Sequence, residues 1–326
     1  MSVEQPSWLR LVLRWRGSVA PKVLPGVLLC GGLGIFVSLL DHLGFPVSWQ
    51  GFDIVVTNVS YNLVLGLLLV FRTNTAYDRF WEGRKAWASL TANIRSLGYL
   101  IWVSIVETEP TDRENKVSNL RLLTAFAVAT KLQLRYQPVN SELEGLMNSE
   151  QFQLLKTVKS TPLQVVVWIG HYIQQQYQRN LVSANQQATM NGLSNNLLEA
   201  ITTCERIAST PIPLAYAIYL KRLLLIYCIS LPFQVVDNLH WWTSPISAIL
   251  SFVLLGIEEI GTEIENPFGE DANDLPIEEF CGTISKNIED LIAANSQKSL
   301  EMREPNLELD SQLSSLTQKA EYSNHI

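Results

Sequence analysis

YNLVLGLLLVFRTNTAYDRFWEGRKAWASLTANIRS, residues Tyr61–Ser96, is the stretch whose reading decides the fold. As far as Phe71 it is an uninterrupted apolar run at helical spacing. From Arg72 onward the same register carries Arg, Asp, Glu and Trp, with neither Pro nor Gly at the junction. A helix ends where something interrupts its hydrogen-bond ladder, and nothing here does. One continuous helix that passes from lipid into water accounts for both halves.

Composition agrees with a crossing of this kind. Of 326 residues, 47% are apolar and only 17% charged, against about 25% charged in ordinary soluble domains. Mean hydropathy is only slightly positive, which fits a few spans plus a substantial water-facing part. A net charge of -7 argues against a nucleic-acid partner, which would need a basic face. Cys30, Cys204, Cys228 and Cys281 are scattered, with no CxxC and no nearby His, so buried free thiols are expected rather than a metal cluster or disulfide framework. The four histidines are equally dispersed. No nucleophile, acid–base pair or phosphate loop points to an enzyme.

Working outward, Arg10, Arg14, Arg16 and Lys22 precede an uncharged run at 23–40, too long for a signal-peptide core and lacking a small-residue cleavage site. A second apolar run, 54–71, is of spanning length. The loop between them, Asp41 to Asp53, holds no Lys or Arg, whereas Arg72, Arg79, Arg84 and Lys85 follow the second run. The excess of positive charge places the N-terminus and the segment after Phe71 in the cytoplasm. Further spans are expected at 214–233 and 242–257. Lys221 and Arg222, early in the third, are expected near the interface or facing protein. A short loop with Asp237 and His240 would join these two, and Trp241-Trp242 marks an interface. Four spans put both termini in the cytoplasm.

Between the span pairs, 72–209 reads as helical throughout. Punctuation at Glu109-Pro110-Thr111, Pro138–Ser141 and Ser160-Thr161-Pro162 separates successive helices. Val165–Ile169 is strand-like by itself but continues into HYIQQQYQ and is kept helical. Thr210-Pro211-Ile212-Pro213 breaks the pattern before the third span. After the fourth, cytoplasmic helices continue over 258–294, and residues 295–326 form a polar tail, mobile unless docked on a partner subunit.

Three segments together resemble the bestrophin family in its bacterial and plastid branch. They are FRTNTAYDRFWEGRKAW (Phe71–Trp87), CERIASTPIPLAYAIYLKR (Cys204–Arg222) and ENPFGEDANDLP (Glu265–Pro276), in matching order and spacing. The resemblance makes residues 1–294 a single channel domain. It implies an all-α membrane protein with four transmembrane helices per subunit, a cytoplasmic helical bundle, and a homopentameric assembly around an axial pore. Such a channel would conduct small ions passively, with chloride-type anions expected. The alternatives are a cation-selective channel of the same fold, a secondary transporter, and a non-conducting membrane scaffold. The location implied is a bacterial inner membrane or a thylakoid-type membrane.

The same resemblance assigns candidate site residues. Leu63, Leu67 and Phe71, four residues apart, would form the hydrophobic neck of the pore; the plain alternative is helix packing or lipid contact. Asn62 and Asn58 are polar groups at membrane depth that could line the pore or bond a neighbouring helix. Ile212, between its two prolines, would form a second constriction at the cytoplasmic exit, or serve as a plain connector. Arg72, Asp78, Arg79, Glu82, Arg84 and Lys85 read chiefly as structural salt bridges along the helix, with Arg79 and Glu82 able to pair across one turn. Glu263, Asn266, Asp271 and Asp274 offer oxygen ligands where animal bestrophins bind calcium. Here Ala272 and Asn273 interrupt the acidic run and the EF-hand spacing is missing, so no cofactor is required and a solvated acidic loop is the simpler expectation.

Overall fold

A computed structural model of the protein describes residues 7–15, 17–47 and 58–301. Every regular element among these residues is helical. In chain order they are α1 (Trp8–Val12), α2 (Ala20–His42), α3 (Val59–Ser104), α4 (Pro110–Leu134), α5 (Ser141–Glu144), α6 (Ser149–Leu155), α7 (Thr161–Gln178), α8 (Ala184–Ser209), α9 (Leu214–Leu239), α10 (Thr243–Glu263) and α11 (Ile277–Glu301). The chain divides into two compact units, one of Met1–Trp87 with Thr202–Leu275, the other of Ala88–Ile201 with Pro276–Ile326.

The helix through Phe71-Arg72 is continuous. α3 runs through Phe71-Arg72 without a break over 46 residues, about 70 Å at ~1.5 Å per residue. A bilayer core is only ~30 Å thick, so its apolar start alone can lie in lipid. Residues 54–57 of the expected second span fall outside the described residues. α2, and the stretch of α9 and α10, are long and apolar enough to cross a membrane.

In the first unit, α2 and α10 approach closely through small residues. A Cβ added to Gly34 would lie 2.7 Å from the Ser244 Cα, and the Ser244 hydroxyl donates to the Gly31 carbonyl at 2.8 Å. With Ser247 and Ser251 also buried, this is the backbone-to-backbone contact by which helices associate in lipid, where apolar side chains gain little from meeting each other. On α3, Leu65 and Leu69 pack on Leu220 and Leu224 of α9. Two tyrosines pin the pair: Tyr61 donates to the Leu223 carbonyl at 2.8 Å and Tyr216 to the Leu68 carbonyl at 2.7 Å.

The connection from α9 to α10 differs from the expected loop. α9 continues past Pro232 to Leu239, and a single 3-10 turn, His240–Trp242, leads into α10. His240 makes the corner with φ of 46°. That left-handed conformation is held from α2, where the Ser38 hydroxyl donates to the His240 carbonyl at 2.9 Å and Asp41 meets its imidazole at 3.1 Å. Trp241 and Trp242 are exposed beside it, as residues that anchor in an interface would be.

In the second unit, α4 is the buried axis, with Leu120, Leu123, Phe126 and Ala127 at its centre. It starts as the sequence predicts: Glu109 and Asp112 form a reciprocal capping box around Pro110. Arg179 clamps Asp112 at 2.6 Å. This hydrogen bond, with the backbone N–H groups of Glu109 and Thr108, holds the Asp112 carboxyl well below the usual carboxylate range. Lys131, 1% exposed, reaches Glu142 at 2.6 Å and Glu278 at 2.9 Å. Val165–Ile169 lies within α7, as expected, and α11 carries the helix on to Glu301; the rest of the polar tail lies outside the described residues. All four cysteines are free and buried. Burial pushes the Cys204 and Cys281 thiols up to about 12, which keeps them protonated and unreactive near neutral pH.

Candidate functional site: an exposed apolar stripe and its polar base

The candidate neck residues stand together on one face of α3. Leu63, Leu67 and Phe71 are 67%, 50% and 54% exposed, while Leu65 and Leu69 on the opposite side are buried against α9. Two residues subtend about 200° on a helix, so the two sets must diverge. Packing within the unit therefore does not account for the Leu63–Leu67–Phe71 stripe. Asn62 is exposed beside it. Asn58 has a task that the sequence did not suggest: its side-chain oxygen accepts from the backbone N–H of Ser60 at 2.8 Å and of Tyr61 at 3.2 Å, capping the start of α3.

Directly below the stripe the charge array departs from its expected form. Arg72 is 2% exposed and donates to Glu265 Oε2 at 2.6 Å, a residue 193 positions away. Arg79 does not pair with Glu82 across one turn. It donates to the Ile207 carbonyl at 2.6 Å, to the Thr210 carbonyl, and through Nε to the Glu265 carbonyl at 3.2 Å. A guanidinium with several fixed donors is suited to collecting the carbonyls that a helix end leaves without partners, here those at the end of α8. Glu82 is taken by Arg206 instead. The physical reason for the difference is that tertiary acceptors outcompete a weak exposed i,i+3 pair.

Ile212 is half-buried, and its backbone N–H donates to Glu265 Oε1 at 2.7 Å. Higher up, Lys221 faces the buried Glu258 at 3.6 Å, and Thr262 donates to Glu258 at 3.1 Å. Lys221 thus has an anionic partner within the protein, although its side chain stays exposed.

The acidic segment is a compact turn. Pro267 and Phe268 press on Gly83 of α3, where an added Cβ would come within 3.0 Å of both rings. Asp274 accepts from the Asp271 backbone N–H at 2.7 Å, and Asn273 donates to the Gly17 carbonyl at 3.1 Å. Glu263, Glu259 and Asp271 surround the Lys22 ammonium at 3.7, 4.0 and 3.6 Å, while Asn266 is exposed. Among the described residues, no three His, Cys, Asp or Glu side chains converge on a point that could hold a metal. Glu263 and Asp271 face a lysine, and Asp274 faces the turn's own backbone.

What fold and site define is an all-helical membrane protein with an apolar stripe ending on a buried ionic base. The model of the bacterial/fungal bestrophin proteins matches residues 1–290. The chain is 50% identical over 291 residues to a voltage-dependent anion channel-forming protein of Nostoc, covering 89% of this chain and 94% of that relative. It is 47% identical over 285 residues to one from Synechocystis, covering 87% and 92%. The crystal structure of a bacterial bestrophin homologue from Klebsiella pneumoniae superposes with a TM-score of 0.74 at 26% identity, covering 83% of this chain and 99% of that one. The chain belongs to the bacterial/fungal bestrophin family.

Glu265 is the functional candidate that sequence reading missed. It sits in a run of carboxylates whose members look alike, and nothing local marks the one whose two oxygens join segments far apart in the chain.

Proposed function

We propose that the chain is one subunit of a homopentameric channel that conducts small anions passively along the symmetry axis. Five copies of Leu63, Leu67 and Phe71 form its hydrophobic neck, and Ile212, tied through Glu265 to Arg72 at the base of that neck, narrows the path a second time. The observation that carries this reading is the exposed stripe itself: three large apolar side chains in consecutive turns, each half or more exposed and ending at Arg72. Rings of this kind can gate by dewetting, because a narrow apolar collar holds water poorly until it widens.

In this reading four spans place both termini in the cytoplasm, in a bacterial inner membrane or a thylakoid-type membrane, with residues 1–294 as one channel domain. Asn62 lines the upper neck. The protein works as a channel, not as an enzyme, and needs no cofactor: Lys22 faces three carboxylates at the acidic turn. The anion preference is supported by the names of the Nostoc and Synechocystis relatives, both anion channel-forming proteins. The acidic net charge would favour cations if it lined the mouth, so the sign needs a direct test.

Purified protein in planar bilayers under a potassium chloride gradient should reverse near the chloride equilibrium potential. Reversal near the potassium potential would replace the reading with a cation channel of the same fold. Liposome flux without unitary current steps would point to a transporter, and no flux to a scaffold.

A further inference from the structure

The face of α3 that carries the neck does not end at Phe71. The helix runs on without a break to Ser104, so the same line continues into its polar half. Asp78 lies seven residues beyond Phe71, within about 20° of it around the helix and ~10 Å further along the axis. Glu82 and Lys85 follow on the same side, within about 40° of Phe71.

These three charges differ in what holds them. Glu82 is neutralised by Arg206. The Lys85 ammonium is drawn over the Trp81 ring, 5.9 Å from its centre. Asp78 is exposed, and among the described residues no ion pair or hydrogen bond holds its carboxylate. The nearest guanidiniums in sequence are committed elsewhere, Arg72 to Glu265 and Arg79 to the carbonyls of Ile207 and Glu265. Aspartate is also among the weaker helix formers, and here it sits far from either end of α3, where it can cap nothing. Neither local structure nor packing within the subunit accounts for a bare carboxylate in line with the neck.

We propose that Asp78 is a specificity-determining residue of the channel. With five subunits around the axis, its carboxylates form a negative ring on the cytoplasmic side of the neck. Such a ring lowers the local concentration of anions and raises that of cations. Anions arriving from the cytoplasm meet it before the neck, whereas those from the opposite side reach it only after passing the neck. Anion flow into the cytoplasm is therefore favoured over flow out of it. This rests on the reading of Leu63, Leu67 and Phe71 as the neck. Salt sets the size of the effect, because the screening length falls from ~10 Å at 0.1 M to ~3 Å at 1 M.

The test records single channels of the full-length protein in planar bilayers, in symmetric potassium chloride at about 0.05 M and at 1 M. Wild type should pass unequal currents at opposite voltages in low salt. Asp78→Asn should raise the current in the weaker direction by about twofold or more at low salt and leave it unchanged at 1 M. Asp78→Glu keeps the charge and should match wild type at both. A fall in current for Asp78→Asn, with the same salt dependence, would keep the ring but replace the anion reading with a cation channel.

Equal low-salt currents in wild type and Asp78→Asn, where Leu67→Ala alters channel behaviour, would overturn the ring and leave the neck standing. If neither substitution alters it, the neck reading fails and the ring with it. Loss of the pentamer in Asp78→Asn would show that the carboxylate pairs with a cation of a neighbouring subunit, and would equally overturn the ring.

Discussion

Two leucine stripes interleave on the first turns of α3, and they have opposite fates. Leu65 and Leu69 are buried on α9, while Leu63 and Leu67, with Phe71, are exposed. Residue type does not separate them. The difference lies in what each stripe meets. Leu65 and Leu69 fill the space between two helices of one unit, whereas the other three are half or more exposed. In lipid an unpartnered leucine costs nothing, so exposure alone does not make a pore. The added feature is the base, where the charge of Arg72 turns inward to Glu265.

The sharpest way to separate the stripes is to make the same substitution on each. Leu69→Ala should lower stability by about 3 kcal/mol, the usual cost of emptying a buried leucine site. Leu67→Ala should change it by less than about 0.5 kcal/mol. Thermal unfolding in detergent reads both, and equal losses would break the comparison.

α2 offers a parallel contrast with a smaller effect. Gly34→Ala drives a methyl group to 2.7 Å from the Ser244 backbone, whereas a Cβ at Gly32 meets nothing within 4 Å. Gly34→Ala should therefore cost about 1–3 kcal/mol from overpacking, and Gly32→Ala should be neutral or gain about 0.5 kcal/mol from helix propensity.

The second unit offers a contrast in pH dependence. The folded Asp112 carboxyl is held below its unfolded value of about 3.9. Its contribution is therefore nearly complete above about pH 5 and is lost progressively as pH falls from the unfolded value through the folded one. The melting temperature difference between wild type and Asp112→Asn should be constant from about pH 7 to 5 and shrink below about pH 4. A difference that already shrinks between pH 7 and 5 would contradict the clamp by Arg179.

Much of this fold is legible in the sequence because its signals are local. The unbroken register from Tyr61 to Ser96 and the punctuation at 109–111 and 160–162 each act within a few positions. The stripe Leu63–Leu67–Phe71 is legible as a periodicity, although its role came from the family resemblance. What is illegible is long-range. Arg79 reads as a partner for Glu82 yet reaches back to the end of α8. Glu265 reads as one acid among many yet joins Arg72 to Ile212. The corner at His240 depends on Ser38 and Asp41, some 200 residues earlier. In each case a polar group chose a partner that only the fold brings near.

Single-channel recording of Leu67→Ala beside wild type tests the central claim most directly. If Leu63, Leu67 and Phe71 form the neck, shortening the middle ring widens and wets the collar, and resting open probability should rise by about tenfold or more at unchanged stability. An assembled Leu67→Ala channel with wild-type open probability and conductance would show that this stripe faces lipid and that the pore lies elsewhere.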